Sequence, residues 1–180
     1  MRPETATGIS ICVGKYDIKC YPDGLPCNYH EIATHAKLVD EFHIGDTHLC
    51  CVLIGRANEW PSVVVAQSCE LAEAGFEPGI YLAQESDFLF VAVGERLLGY
   101  DLAESKRKWT DHAKGGFWRF ARHESVVLMT AELELAAWNP KGDKLWNASV
   151  EPPWSYSVER GVVVLDEDGH KKRFSLFHGP

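Results

Sequence analysis

From Pro78 onward the sequence repeats itself, and no other property restricts the fold as much. One copy runs PGIYLAQESDFLFVAVGERLLGYDLAESKRKW to Trp109, and the next runs GGFWRFARHESVVLMTAELELAAWNPKGDKLW to Trp146. Glu85-Ser86 matches Glu124-Ser125, Glu95 matches Glu132 or Glu134, and Asp101 matches Asn139 ahead of a polar turn. A shortened third copy, PPWSYSVERGVVVLDEDGHKKRF, puts Asp166 at the turn position and Phe174 in the place of the terminal tryptophan.

Each full copy holds four apolar segments of strand length, rich in Val, Leu, Phe, Tyr and Trp and broken by polar or glycine-containing stretches. Pro140-Lys141-Gly142-Asp143 and Glu167-Asp168-Gly169 have the residues that tight turns demand. The alternation in Glu132-Leu133-Glu134-Leu135 predicts one wet face and one buried face, whereas Phe88 to Val93, with no alternation, predicts a strand buried on both. The fold class expected is mostly β. Its units are antiparallel four-stranded meanders, arranged as propeller-like blades or as a curled sheet or sandwich. The 37-residue spacing from Trp109 to Trp146 falls in the range of propellers and solenoids.

The stretches from Leu97 to Trp109 and from Leu135 to Trp146 resemble the third and fourth strands of PQQ-type, quinoprotein-like β-propeller blades. In that family an Ala, an Asp, a Thr-Gly turn and a Trp about eight residues later dock one blade on the next. The resemblance implies that Trp109 and Trp146 are inter-blade packing residues, with Phe174 a weaker third. It covers about residues 78–176. Ala103-Glu104-Ser105-Lys106 lacks the Thr-Gly pair, the third copy is short by about one strand, and three copies do not close a ring of four to eight blades. PQQ binding and dehydrogenase activity are therefore not carried over, and no cofactor is expected.

Residues 1–77 read as an irregular β-rich region ahead of the three repeats of residues 78–180, the two parts sharing one core if no linker separates them. Strands are expected at Ile9–Val13, Tyr16–Tyr21, Leu49–Ile54 and Ser62–Cys69. One short helix is expected from Asn28 to Val39, where Ile32, Ala36 and Val39 fall at helical spacing after an Asn28 cap. All six cysteines lie here, at 12, 20, 27, 50, 51 and 69; with no export signal they read as reduced thiols of a cytoplasmic protein. A hairpin turn at Gly45-Asp46 would set His43 across from His48, the weak alternative for a metal site. The region otherwise lacks the close ligand pairs of structural zinc.

The net charge of -8, from 26 acidic and 18 basic residues, repels phosphate backbones, so nucleic acid is not expected as a partner. No apolar run reaches the roughly 18 to 20 residues that cross a bilayer, so no membrane is expected either. There is no Gly-rich phosphate loop, nucleophile elbow or HExxH, and no catalytic residue is assigned. The expected function is a non-catalytic binding or protein-interaction module, the alternative being an enzyme or metal-binding protein that uses the Cys/His-rich N-terminal region. The binding residues expected are Trp118, Arg122 and Trp154. Trp118, Phe120 and Arg122 share a face of a regular strand, and Trp and Arg are the residues that anchor interfaces. Incomplete repeats leave sheet edges, so a protein partner or self-association as a homo-oligomer is expected.

Overall fold

A computed structural model of the chain describes residues 7–42, 49–68 and 77–180. His43, His48, the Gly45-Asp46 turn and Cys69 lie outside the described residues. The chain is mostly β and propeller-like. Its strands are β1 (Ile9–Val13), β2 (Tyr16–Tyr21), β3 (Leu38–Phe42), β4 (Leu49–Arg56), β5 (Val63–Ser68), β6 (Gly79–Ala83), β7 (Phe88–Val93) and β8 (Arg96–Asp101), then β9 (Lys106–His112), β10 (Phe117–His123), β11 (Val126–Ala131), β12 (Glu134–Trp138), β13 (Lys144–Ser149), β14 (Trp154–Glu159), β15 (Val162–Glu167) and β16 (His170–Ser175). The helix α1 (Tyr29–His35) lies between β2 and β3.

These strands form four sheets. Sheets 2 and 3 are the meanders β6-β7-β8-β9 and β10-β11-β12-β13, and sheet 4 has three strands, β14-β15-β16. Sheet 1 is itself a meander, β1-β2-β4-β5, with β3 added parallel to β5 on its outer edge. The sheets stack in chain order. Tyr16, Ile18, Val52, Ile54 and Val63 of sheet 1 pack on Leu89, Val91, Leu98 and Tyr100 of sheet 2. Phe88, Phe90, Ala92 and Leu97 then pack on Phe117, Val127, Met129 and Trp138 of sheet 3, and Leu128, Leu135 and Ala137 pack on Val163 and Leu165 of sheet 4. Alternate residues of β7 therefore serve two different cores, which is why its sequence shows no period of two.

The ends of the stack differ. The outer face of sheet 1 is covered by α1, whose Tyr29 and Ile32 pack on Cys51, Leu53 and Val64. The helix stops at His35, and Val39 belongs to β3, so helical spacing across Ile32, Ala36 and Val39 is a coincidence of two elements. Asn28 precedes α1 but makes no side-chain cap hydrogen bond. β3 is fastened to sheet 2 by polar contacts: Tyr100 donates its hydroxyl to Asp40 (2.8 Å), and Arg107 Nη1 donates to both oxygens of the same carboxylate (2.8 and 2.9 Å). The outer face of sheet 4 carries Ser155, Ser157, Glu159 and Arg173, as an uncovered face should.

Trp109 and Trp146 stand where the resemblance implies. Each lies on a fourth strand, opposite Gly99 and Ala137 respectively, and directly after the bulged residue of that strand. Trp109 Nε1 donates to the Gly142 carbonyl in the β12–β13 turn (2.7 Å), and Trp146 Nε1 donates to the Leu176 carbonyl beyond β16 (2.7 Å). Each indole thus ties its sheet to the turn after the third strand of the next. Gly142 sits at φ +87, and a Cβ there would run into the Phe88 ring, so the turn requires glycine on both counts.

Two expectations are corrected. Phe174 is not equivalent to the terminal tryptophans: Val163 pairs with Phe174 as Val127 pairs with Trp138, both one residue into the strand after a first-to-second strand turn. The Leu176 N–H donates to Gly161 O just as the Leu102 N–H donates to Asp87 O. Among the described residues, sheet 4 therefore holds the first three strands of a unit and no fourth. Secondly, Glu132 and Leu133 form the β11–β12 turn, so the alternation there is not a strand face: Leu133 is 42% exposed while Glu134 is 2% exposed. The buried carboxylate is satisfied by the Lys114 N–H (3.1 Å) and by Asn147 Nδ2 (3.1 Å).

Candidate interaction surface

The first strand of sheet 3 opens with Gly115 at φ +74 and then bulges. Phe117 pairs with Ala131 and Arg119 with Thr130, leaving Trp118 as the extra residue. The insertion shifts the alternation by one. Phe117 and Phe120 both turn into the core against sheet 2, their ring centroids 4.8 Å apart, while Trp118 and Arg119 both turn toward sheet 4. The expected face of Trp118, Phe120 and Arg122 does not exist, because a bulge breaks the period of two on which it rested.

Trp118 and Trp154 are nevertheless brought together. Their rings stack with centroids 5.3 Å apart and planes 17° from parallel, Trp118 remaining 45% exposed. Trp154 is anchored by its Nε1, which donates to the Glu132 carbonyl (2.9 Å), and Leu133, the exposed residue of that turn, comes next in the chain. The ladder continues along the seam between β10 and β14. Tyr156 lies 6.4 Å from Trp154, takes the Arg119 guanidinium at 6.0 Å from its ring, and meets the edge of His123 at 5.9 Å. Burial, with the Arg119 charge beside it, pulls His123 below the ordinary histidine value, so it is neutral at pH 7. Arg119, His123 and Tyr156 were not expected; Trp154, Tyr156 and Val158 alternate with polar residues, the one signal that could have marked Tyr156.

Arg122 faces the other way. Its Nη1 lies 2.6 Å from Glu85 Oε1 and its Nε donates to the Glu124 carbonyl (2.8 Å). The Tyr81 hydroxyl and then the Glu85 charge hold it above the usual arginine value. There it lines a cleft of about 390 Å³ whose walls include Ile9, Ile11, Ile80 and Leu82. Ile9 and Ile11, on β1 at the edge of sheet 1 among the described residues, are 59% and 55% exposed. The three expected binding residues thus divide into a stacked aromatic pair and an arginine on the opposite face of the same strand.

In the N-terminal region, Cys12, Cys20, Cys27 and Cys51 lie outside any disulfide. Burial pushes the Cys51 thiol up to about 12, which removes thiolate character at neutral pH. Among the described residues no group of three or more His, Cys, Asp or Glu is placed to hold a metal ion, and no helix is long and apolar enough to cross a membrane.

No family model and no curated protein matches the chain. Among solved structures it is similar to BamB from Moraxella catarrhalis, a PQQ-like β-propeller, at 13% identity over 95% of this chain and 61% of that one, with a TM-score of 0.44. It is also similar to a chain of a mitotic checkpoint complex, at 13% identity over 72% of this chain and 45% of that one, TM-score 0.43. Kluyveromyces lactis Hsv2 is similar at 12% identity over 56% of this chain and 34% of its own, TM-score 0.31. The chain thus spans between about a third and three fifths of the length of these structures.

Proposed function

We propose that this chain is a non-catalytic interaction module whose partner is a protein docking on the seam between sheets 3 and 4. The observation that carries the reading is the Trp118–Trp154 stack, in which a backbone hydrogen bond holds Trp154 and Trp118 is left 45% exposed. A rigid, partly exposed tryptophan flanked by arginine and tyrosine is the composition of an interface anchor. Arg122 and the apolar cleft it lines form a flank of the same first-strand edge. We further read residues 1–77 and 78–180 as one continuous domain, since a single core joins sheets 1 and 2. Among the described residues β16 is the edge strand of sheet 4, and self-association through it is part of the proposal.

The test is a photo-crosslinking side chain placed at position 118, with position 145 as the control, because Leu145 is also exposed but lies on β13. The reading expects one discrete adduct from position 118, which Trp154→Ala abolishes. Equal adducts from both positions, or an adduct indifferent to Trp154→Ala, would overturn it.

A further inference from the structure

A second concave site lies at the seam of sheets 1 and 2, on the rim opposite the tryptophan pair, and it is polar. Its volume is about 320 Å³ and its walls include Lys15, His35, Lys37, Arg56, Trp60 and Asp87. The backbone builds it closely. Gly55 lets the β4–β5 turn fold back on its own strand, since a Cβ there would stand 2.9 Å from Pro61 Cα and 3.0 Å from the Trp60 carbonyl. The turn itself is closed by the Glu59 N–H on the Arg56 carbonyl (3.0 Å), with Asn58 at φ 63. The Ser62 carbonyl then accepts from both Lys37 and Leu38 N–H groups (3.0 Å each), which sets Lys37 alongside the turn.

Two features of the site point to a ligand. The first is a flat platform: His35 and Trp60 stack with ring centroids 4.3 Å apart and planes 11° from parallel, while Trp60 stays 45% exposed. The His35 Nδ1 lies 2.8 Å from the Glu31 carbonyl, so Nδ1 carries the proton and the ring is fixed from behind. The second is charge. Lys15 and Asp87 neutralise one another at 2.8 Å, and the Lys15 hydrogen bond holds the Asp87 carboxyl below the usual carboxylate range. That leaves Lys37 and Arg56 against one carboxylate, Glu59, within a chain of net charge -8. A basic, ring-flanked pocket in an acidic protein runs against the overall composition.

We infer that this pocket binds a mononucleotide, an aromatic base joined to a phosphate, with the base on the open face of Trp60 and the phosphate held by Arg56 and Lys37. Guanidinium groups fork onto phosphate oxygens and ammonium groups act on them as point charges. The volume lies at the lower end of the roughly 300 to 1,000 Å³ of small-molecule pockets, which suits one nucleotide. The inference does not depend on the proposed interaction surface, whose tryptophan pair lies on sheets 3 and 4.

The experiment is calorimetric titration of the full chain with AMP, with adenosine and inorganic phosphate as separate ligands. Saturable one-to-one binding of AMP is expected, with adenosine and phosphate each at least tenfold weaker. Trp60→Ala and Arg56→Gln, both exposed where β4 leads toward β5, should each weaken AMP at least fivefold with the melting temperature unchanged, while Trp118→Ala leaves binding as it was. Phosphate binding as tightly as AMP would reduce the site to an adventitious anion site and overturn the inference. So would tighter binding of an oligonucleotide than of AMP, no saturation at millimolar AMP, or AMP binding that survives both variants.

Discussion

Replacing Trp146 probes how the sheets are held together. Its side chain is 8% exposed, its indole N–H donates to the Leu176 carbonyl at 2.7 Å, and its ring meets the edge of Phe174 at 5.4 Å. Leu176 is itself fully buried, and Gly179 packs on the ring from the chain end. Trp146→Ala removes the ring and leaves a cavity between sheets 3 and 4, a loss of about 3 to 5 kcal/mol. Trp146→Phe keeps most of the volume but strands the Leu176 carbonyl, so about 1 to 2 kcal/mol is expected from the hydrogen bond alone. In urea, at a slope of about 2 kcal/mol/M, the Ala variant should unfold about 2 M earlier than the parent and the Phe variant less than 1 M earlier. Trp109, more exposed but bonded in the same way to Gly142, should follow the same order with smaller losses. A loss below about 1 kcal/mol for Trp146→Ala, or a Phe variant as costly as the Ala variant, would refute the docking role.

Three further outcomes follow from the same packing. Gly142→Ala should cost about 2 to 4 kcal/mol by equilibrium unfolding, because it adds strain at positive φ to a collision with Phe88. Glu134→Leu should cost about 2 to 3 kcal/mol and Glu134→Gln less than half of that, since only glutamine keeps an acceptor for the Lys114 N–H; equal losses would show that the buried carboxylate has no bonding role. The Cys51 thiol titrates higher when folded than when unfolded, so its contribution is intact below about pH 8.5, the value for a free thiol, and is lost as pH rises toward its folded value near 12. Denaturation across pH 8 to 11 should therefore show the parent losing stability faster than Cys51→Val, and parallel curves would remove the thiol from the account.

The sequence carried the repeat because the repeat is written in side chains with one job each. Trp109 and Trp146 recur at the same place on a fourth strand, and the segments Ile9–Val13 and Tyr16–Tyr21 have strand composition between turn residues, so their bounds agree with the structure. Phe174 was misplaced because a terminal aromatic looks alike on a third or a fourth strand, and only the pairing of Val163 with Phe174 separates the two. Glu134 looked solvent-facing because its partners, the Lys114 amide and Asn147, are distant in sequence. Composition alone named Trp118 and Trp154 but could not join them, since their contact depends on a bulge and on the stacking of two sheets. The pocket at Trp60 and Arg56 left no local trace at all, being assembled from a turn, a helix end and a neighbouring sheet.

Nuclear Overhauser contacts from the tryptophan indole protons report most directly on whether the sheets dock as successive copies of one unit. The Trp109 Hε1 should show cross-peaks to the Gly142 backbone, the Trp146 Hε1 should show them to Leu176 and Gly179, and both protons should exchange slowly with water. Indole protons that exchange at the rate of free tryptophan, without those cross-peaks, would contradict the stacked-unit architecture.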